Sequence, residues 1–286
     1  MSIGLISRFK NERHILFEWV HHHYEEGIDK IYLIDDNSND NFLESNLWMN
    51  EYIKLGKLIL LKSKSKKQEK DYNNFLNLVK ENKWIIQLDM DEFIFTPQSK
   101  TLKEVLNNEL NKYDYIRIKW RLFSHRCSQQ PKSVIEDNIF THKSRKDPTS
   151  PTGIKCISKT ENLMKLSIHK FAFSKKPNQL NLFNSHNNLI HLNHYKTQSD
   201  EYLYGVKEQR GGGVNKNKYK GQNKAHIVHK SFVKECFVLK NKRKELISKC
   251  KERIQIKPKI YKNSSWYANK IKNISNINEN SNINSI

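Results

Sequence analysis

The sequence lacks the features that define several large protein classes. Its 286 residues include four cysteines, Cys127, Cys156, Cys236 and Cys250, none spaced as a paired zinc or redox motif. That argues against a disulfide-built scaffold, and free thiols in a reducing compartment are expected. No apolar run approaches the roughly 18 residues that span a bilayer. The N-terminal MSIGLISRFKNE turns charged too early for the core of a secretory signal. A soluble, cytoplasmic protein without signal peptide or transmembrane segment is therefore expected. No internal repeat is visible, and no homeodomain, finger or RNA-recognition motif appears.

Acidic residues are scarce relative to basic ones: 51 Lys plus Arg against 30 Asp plus Glu, a formal net charge of +21. This suggests a polyanionic partner or an anionic ligand. The basic residues are scattered, not gathered on one reading helix. Nucleic-acid contact should therefore be weak, salt-sensitive and without base readout. The basic C-terminal region leaves peripheral contact with an anionic membrane open.

Up to about residue 122 strand and helix signals alternate. IGLISRF, KIYLI, KLILL and WIIQL read as strands. Between them lie a helix that Asn11 would cap and Gly27 would close, a helix over NFLESNLWMNEYIK ended by Gly56, and a helix over KKQEKDYNNFLNLVKEN. Such a series predicts an α/β fold: a Rossmann-like, mainly parallel central sheet with helices on both faces, its ligand at the carboxyl ends of the strands. Beyond DYIRIKWRLF the pattern changes. Residues 124–150 read as a long loop, 154–158, 163–173 and 189–195 as short strands, 199–210 as a helix, and 233–253 as one basic helix. The tail over 274–286 is polar and low in complexity, and is expected to be disordered.

The stretch WIIQLDMDEFIF ends a strand in Asp89, Asp91 and Glu92. In extended chain Asp89 and Asp91 point to the same side. Three acids beside a buried strand repel one another, and a hard divalent cation held by Asp89 and Asp91 would offset this. Mg²⁺ and Mn²⁺ take oxygen ligands and bind through one or two carboxylates plus substrate phosphates. A plain turn or helix cap is the competing explanation. A second polar cluster, YLIDDNSND, ends the second strand. Asp36, Asn37 and their neighbours suit either hydrogen bonds to a base or ribose or a turn with a cap. At the end of the first strand, Arg8 or Lys10 suits a phosphate. His21, His22 and His23 are consecutive on a helix, point in different directions, and cannot share one ion.

These motifs resemble glycosyltransferase family 2 and family 92 related proteins. The resemblance rests on Lys10, Asn11 and Glu12, on Glu18 and Trp19, on His21 and His22, and on Gly27. It continues through Asp36, Asn37, Ser38 and Asp40, then Asp89, Asp91, Glu92 and Phe93. GIKCISK and IHKF match its middle segment at Lys155 and His169, and LNHYKTQSDEYLYGVKEQRGG matches its histidine-tyrosine helix. It covers roughly residues 3–213.

The resemblance implies a GT-A fold, a nucleotide-sugar donor of the UDP-sugar class, Mn²⁺ or Mg²⁺, and a glycan or protein acceptor. It makes Asp91 and Asp89 metal ligands, with His194 or His169 as a third. Asp89 reaches the ribose or the metal. Lys10, Asn11, Glu12, Asp36, Asn37 and Lys155 fall on the donor side, and Lys207 and Arg210 close over the diphosphate. Asp200, Glu201 or Glu208 would serve as base in an inverting reaction. The corresponding organisation is a transferase domain over 1–230, its nucleotide-sugar half 1–122 and its acceptor and lid half 123–230. A basic helical extension over 231–273 and the tail follow. The competing functions are a basic nucleic-acid-binding protein and a nucleotidyltransferase that uses the same carboxylates.

Overall fold

The computed structural model describes residues 2–142, 153–184, 187–209 and 232–261. The first strand, β1 (Ile3–Phe9), lies between β2 (Lys30–Asp35) and β4 (Trp84–Gln87), parallel to both, and β3 (Leu58–Lys62) extends the sheet beyond β2. Alternation along these strands separates two cores. Ile3, Leu5, Ile31, Leu33, Trp84 and Ile86 belong to one, and Ile6, Tyr32, Ile34 and Ile85 to the other. Both faces of the sheet are therefore covered, which explains the nearly continuous apolar runs. Helix α1 (Leu16–Glu25) adds fully buried Trp19 and Val20 to the first core. Each such large side chain contributes about 1.5–3 kcal/mol on burial. Gly27 ends this helix at φ +85°, where a Cβ would also meet Lys103 at 2.6 Å.

The mainly parallel α/β sheet expected from the sequence is present, with one insertion. Strand β9 (Ile154–Lys159) enters between β4 and β6 (Tyr115–Lys119), antiparallel to both, and β12 (Gln179–Leu182) closes that edge parallel to β6. The seven-stranded order is β12-β6-β9-β4-β1-β2-β3. Chain from beyond residue 123 is thus part of the central sheet.

The stretch DYIRIKWRLF is two strands. The chain leaves the first sheet at Trp120, and β7 (Arg121–Ser124) joins a second sheet. There β13 (His191–His194) lies between β7 and β5 (Glu92–Phe95). Strands β8 (Phe140–His142) and β14 (Phe232–Glu235) extend it, and β10 (Leu163–Lys165) pairs with β11 (Ala172–Phe173) as a separate hairpin.

Several helices differ from expectation. Residues 42–55 form two short helices, Phe42–Ser45 and Met49–Lys54, and the next segment splits into Gln68–Asn74 and Leu76–Val79. Asn11 does not cap α1. It lies at φ +54°, and its side-chain oxygen instead accepts from Asn39 N at 2.8 Å. The expected loop 124–150 contains a helix, Val134–Asp137, and β8. The segment 233–253 begins as strand β14 and continues as helices Val238–Lys242 and Lys244–Glu252. It packs onto α1: Arg243 donates to His22 Nδ1 at 3.0 Å and is bonded to Glu26, which is fully buried. The glycine-rich stretch from Arg210 and the 274–286 tail lie outside the described residues. Among the described residues no helix is long and apolar enough to cross a membrane.

Candidate active site

The strand register brings the polar clusters to one edge. Phe9 pairs with Asp35 and Asp35 with Lys62, while the Leu88 N–H bonds the Ile6 carbonyl as β4 ends. The chain then passes through Asp89, Met90 and Asp91 into β5. Strand β5 is fastened to α1, because Trp19 Nε1 donates to the Glu92 carbonyl at 2.9 Å and His22 Nε2 bonds the Ile94 carbonyl at 2.8 Å. Two residues of the glutamate-tryptophan and histidine motifs therefore hold the acidic turn in place. Glu18 receives Ser133 Oγ at 2.6 Å and Val134 N at 2.8 Å, joining α1 to the start of a short helix.

Three buried cationic or imidazole groups meet the acids. Lys155 of β9 lies 2.9 Å from Asp89 Oδ2 and 3.1 Å from Glu92 Oε2. Gln68 Nε2 donates to the other Asp89 oxygen at 2.8 Å. Burial alone would raise the Asp89 pKa, but the charge and hydrogen bond of Lys155 together with the Gln68 hydrogen bond leave the carboxyl below its ordinary value. For Glu92 burial wins, pushing the carboxyl up to about 8 despite Lys155. Asp91 is bonded to Lys207 Nζ through one oxygen, and its other oxygen stands 3.3 Å from His194 Nε2. Against burial, Lys207 and then His194 hold Asp91 well below the usual carboxylate range.

His194 arrives by sheet register. It pairs with Glu92 across β13 and β5, and the ladder continues as Tyr195 N donates to the Asp91 carbonyl at 2.8 Å. The Trp120 ring lies 4.5 Å from the His194 ring and 5.6 Å from that of His169. His169 Nδ1 bonds the Ile154 carbonyl at 2.9 Å. Lys207 sits in Leu203–Lys207, a wide π-helical turn, and also donates to the Lys196 carbonyl at 2.7 Å. Such turns often occur at functional sites. Among the described residues no group of three His, Cys, Asp or Glu is gathered closely enough to hold a metal alone.

The other edge residues are knitted together. Arg8 pairs with Asp36 at 2.8 Å and with fully buried Asp71 at 3.0 Å. Asn11 N donates to Ser38 Oγ at 3.0 Å, and Arg13 N to Asp40 at 2.9 Å, so the loops after β1 and β2 hold each other. Glu12 is buried and accepts from Tyr202 at 2.7 Å. Lys10 is half-buried in the loop after β1, and Asn37 is exposed at φ +54°. Asp200 Oδ1 lies 3.2 Å from His125 Nε2, and Glu201 accepts from Gln130 N at 2.8 Å. Glu208 is half-buried, and burial raises its carboxyl pKa. The three histidines of α1 diverge: His21 faces Tyr52, His22 bonds β5 and Arg243, and His23 bonds the Trp19 carbonyl. Sequence reading missed Gln68, Asp71, Trp120 and His125. Gln68 and Asp71 reach Asp89 and Arg8 from a helix, Trp120 and His125 flank β7 and meet His194 and Asp200, and no spacing marks these contacts.

The acidic turn after the parallel strand β4 thus lies at the same sheet edge as the polar loops after β1 and β2. Residues 6–236 match glycosyltransferase family 92, and the chain belongs to that family of glycosyltransferases. No curated protein matches it in sequence.

Among solved structures it is similar to TarS 1–349 from S. aureus in complex with UDP-GlcNAc, at 18% identity over 56% of this chain and 46% of that one, TM-score 0.37. It is also similar to the mannosyltransferase PcManGT from Pyrobaculum calidifontis in complex with GDP-Man and Mn²⁺, at 15% identity over 55% and 44% of the chains, TM-score 0.34. A third is glucosyl-3-phosphoglycerate synthase from Mycobacterium tuberculosis with Mn²⁺, UDP and glucosyl-3-phosphoglycerate, at 10% identity over 56% and 57%, TM-score 0.34. The matched stretch spans less than half of the TarS 1–349 chain, 47% in its structure without a named ligand.

Proposed function

We propose that the chain transfers a sugar from a nucleotide-sugar donor, a UDP-sugar first, to a glycan or protein acceptor, with a divalent cation at Asp91. The observation that carries this is the approach of Asp91 Oδ1 and His194 Nε2 to 3.3 Å at the end of β4 in a family 92 chain. Neighbouring donors that each lie ~2.1 Å from one cation stand about 3 Å apart, so the pair suits Mn²⁺ or Mg²⁺. Imidazole favours Mn²⁺ of the two. Asp89 would be the second carboxylate beside the cation, held in place by Lys155 and Gln68. His169, bonded to the Ile154 carbonyl, would be the weaker candidate for a third ligand.

The cation would act as a Lewis acid for the departing diphosphate. The protein's own residues do the rest. Asp36, Asn37 and the loop over Lys10, Asn11 and Glu12 form the nucleoside edge. Lys155 holds Asp89 ionised and in place. Lys207, shared with Asp91, would bind the diphosphate, and the Arg210 expected beside it lies outside the described residues. In an inverting transfer the acceptor oxygen bonds the anomeric carbon, the nucleoside diphosphate leaves, and a carboxylate takes the acceptor proton. Asp200 is our first candidate, since its side chain stays partly exposed beside His125, whereas Glu201 is buried and accepts the Gln130 N–H. We place the transferase domain over 1–230 with the 231–273 segment as its C-terminal extension.

The test is release of nucleoside diphosphate from a panel of UDP- and GDP-sugars, with Mn²⁺, with Mg²⁺ and with chelator. Metal-stimulated release from one donor is expected. Full release in chelator would remove the cation from this reading. Binding of oligonucleotide at physiological salt, without any response to sugar nucleotides, would overturn the function.

A further inference from the structure

The family match stops at residue 236, yet residues beyond it lie across the donor edge. The segment 255–261 follows the last helix without regular structure and fastens to four parts of the fold. Gln255 bonds the Gln130 carbonyl, and the Lys257 carbonyl accepts from Arg13 Nε at 2.9 Å. Lys259 bonds the Asn39 carbonyl. Ile260 packs on Gly205, where an added Cβ would meet its side chain at 3.1 Å. Finally, Tyr261 N donates to the Gly205 carbonyl at 3.0 Å, and its hydroxyl accepts from Asn11 Nδ2 at 2.6 Å.

Tyr261 therefore touches both halves of the site. Asn11 lies in the loop after β1, and Gly205 in the turn that carries Lys207. The Asn11 amide orientation is determined by its partners: Oδ1 must face the Asn39 N–H, which directs Nδ2 to Tyr261. At φ +54° Asn11 is also in the left-handed region, where a non-glycine residue persists because its surroundings hold it.

We propose that Tyr261 is a positioning residue for donor binding, its hydroxyl orienting Asn11 and its main chain holding the Lys207 turn against Asp91. This rests on the reading of that edge as the nucleotide site. The segment thereby completes the site from outside the family's matched region. One hydrogen bond contributes about 0.5–1.5 kcal/mol, or roughly two- to tenfold in a binding constant.

The experiment uses the full chain, two single variants and the double variant that combines them. Tyr261→Phe removes only the hydroxyl, and Asn11→Gly keeps the left-handed backbone while removing the amide. Thermal melts are run without ligand and with UDP or GDP plus Mn²⁺, alongside donor KM. Tyr261→Phe is expected to raise donor KM roughly two- to tenfold and to reduce the nucleotide-induced shift, with little change in the ligand-free midpoint. Combined with Asn11→Gly, the effects on KM should fall short of additive, because both remove one contact. A wild-type chain with no shift in either nucleotide overturns the donor-site reading and this proposal with it. A wild-type shift that Tyr261→Phe retains in full overturns the Tyr261 assignment alone. So does a variant whose ligand-free midpoint drops as much as its liganded one, which would make the contact structural only.

Discussion

Lys155 and Asp89 form an ion pair at 2.9 Å across 66 residues of sequence, with the ammonium almost wholly buried between Asp89 and Glu92. The repulsion among the acids of the DMDE turn is thus relieved by the fold itself, through Lys155, Lys207 and His194. Removing one partner of a buried pair leaves an uncompensated charge, at a cost of about 3–5 kcal/mol. Lys155→Met is therefore expected to lower stability by that amount in urea denaturation. A loss under about 1 kcal/mol would mean that Asp89 and Glu92 do not depend on it.

Glu92 makes a pH prediction. In the folded chain burial keeps its carboxyl protonated up to about 8, against 4.5 for the free group. Between those values the folded chain holds the extra proton, so this stabilisation is lost as pH rises through about 8. Glu92→Gln keeps the neutral shape at every pH. Melts from pH 5 to about 9 should show the variant gaining on wild type as pH rises through the Glu92 pKa. A variant that loses ground instead would make Glu92 a carboxylate bound to Lys155.

The metal reading is tested at Asp91 and His194. Asp91→Asn is expected to cost at least about 100-fold in donor turnover with the circular dichroism of the fold retained, since a small cation site loses a charged ligand. His194→Ala should raise the Mn²⁺ needed for half-maximal turnover about tenfold or more, by loss of one ligand. Its metal-free melting point should fall far less. Unchanged metal dependence with a large loss of metal-free stability would assign His194 to the core beside Trp120 and make His169 the next residue to test.

Arg243→Met tests whether the C-terminal helices belong to the core. Arg243 is buried against Glu26, which also receives Lys242 at 2.8 Å and the Leu102 N–H at 2.9 Å. Loss of the guanidinium should destabilise by about 3 kcal/mol, less than a fully broken pair because Lys242 remains. A variant as stable as wild type in denaturant would make the helix an appendage.

The sequence by itself determined the parallel half of the fold and the address of the acidic turn. Short apolar runs such as KIYLI and WIIQL, separated by amphipathic stretches and glycines, carry their periodicity locally. A strand end followed by DMDE is visible without any partner. The tertiary structure alone decided which cation faces which acid. Lys155 reaches Asp89 because β9 inserts antiparallel beside β4, and His194 reaches Asp91 because β13 pairs with β5. Neither pairing has a local signature, since antiparallel and parallel strands share the same two-residue period. The same holds for Trp120, where one continuous strand signal divides between two sheets, and for Tyr261, which meets Asn11 from 250 residues away. Side-chain spacing encodes the face a residue takes within its own element. Contacts between elements far apart in the chain follow from how the sheets pack, and that is settled only when the whole core closes.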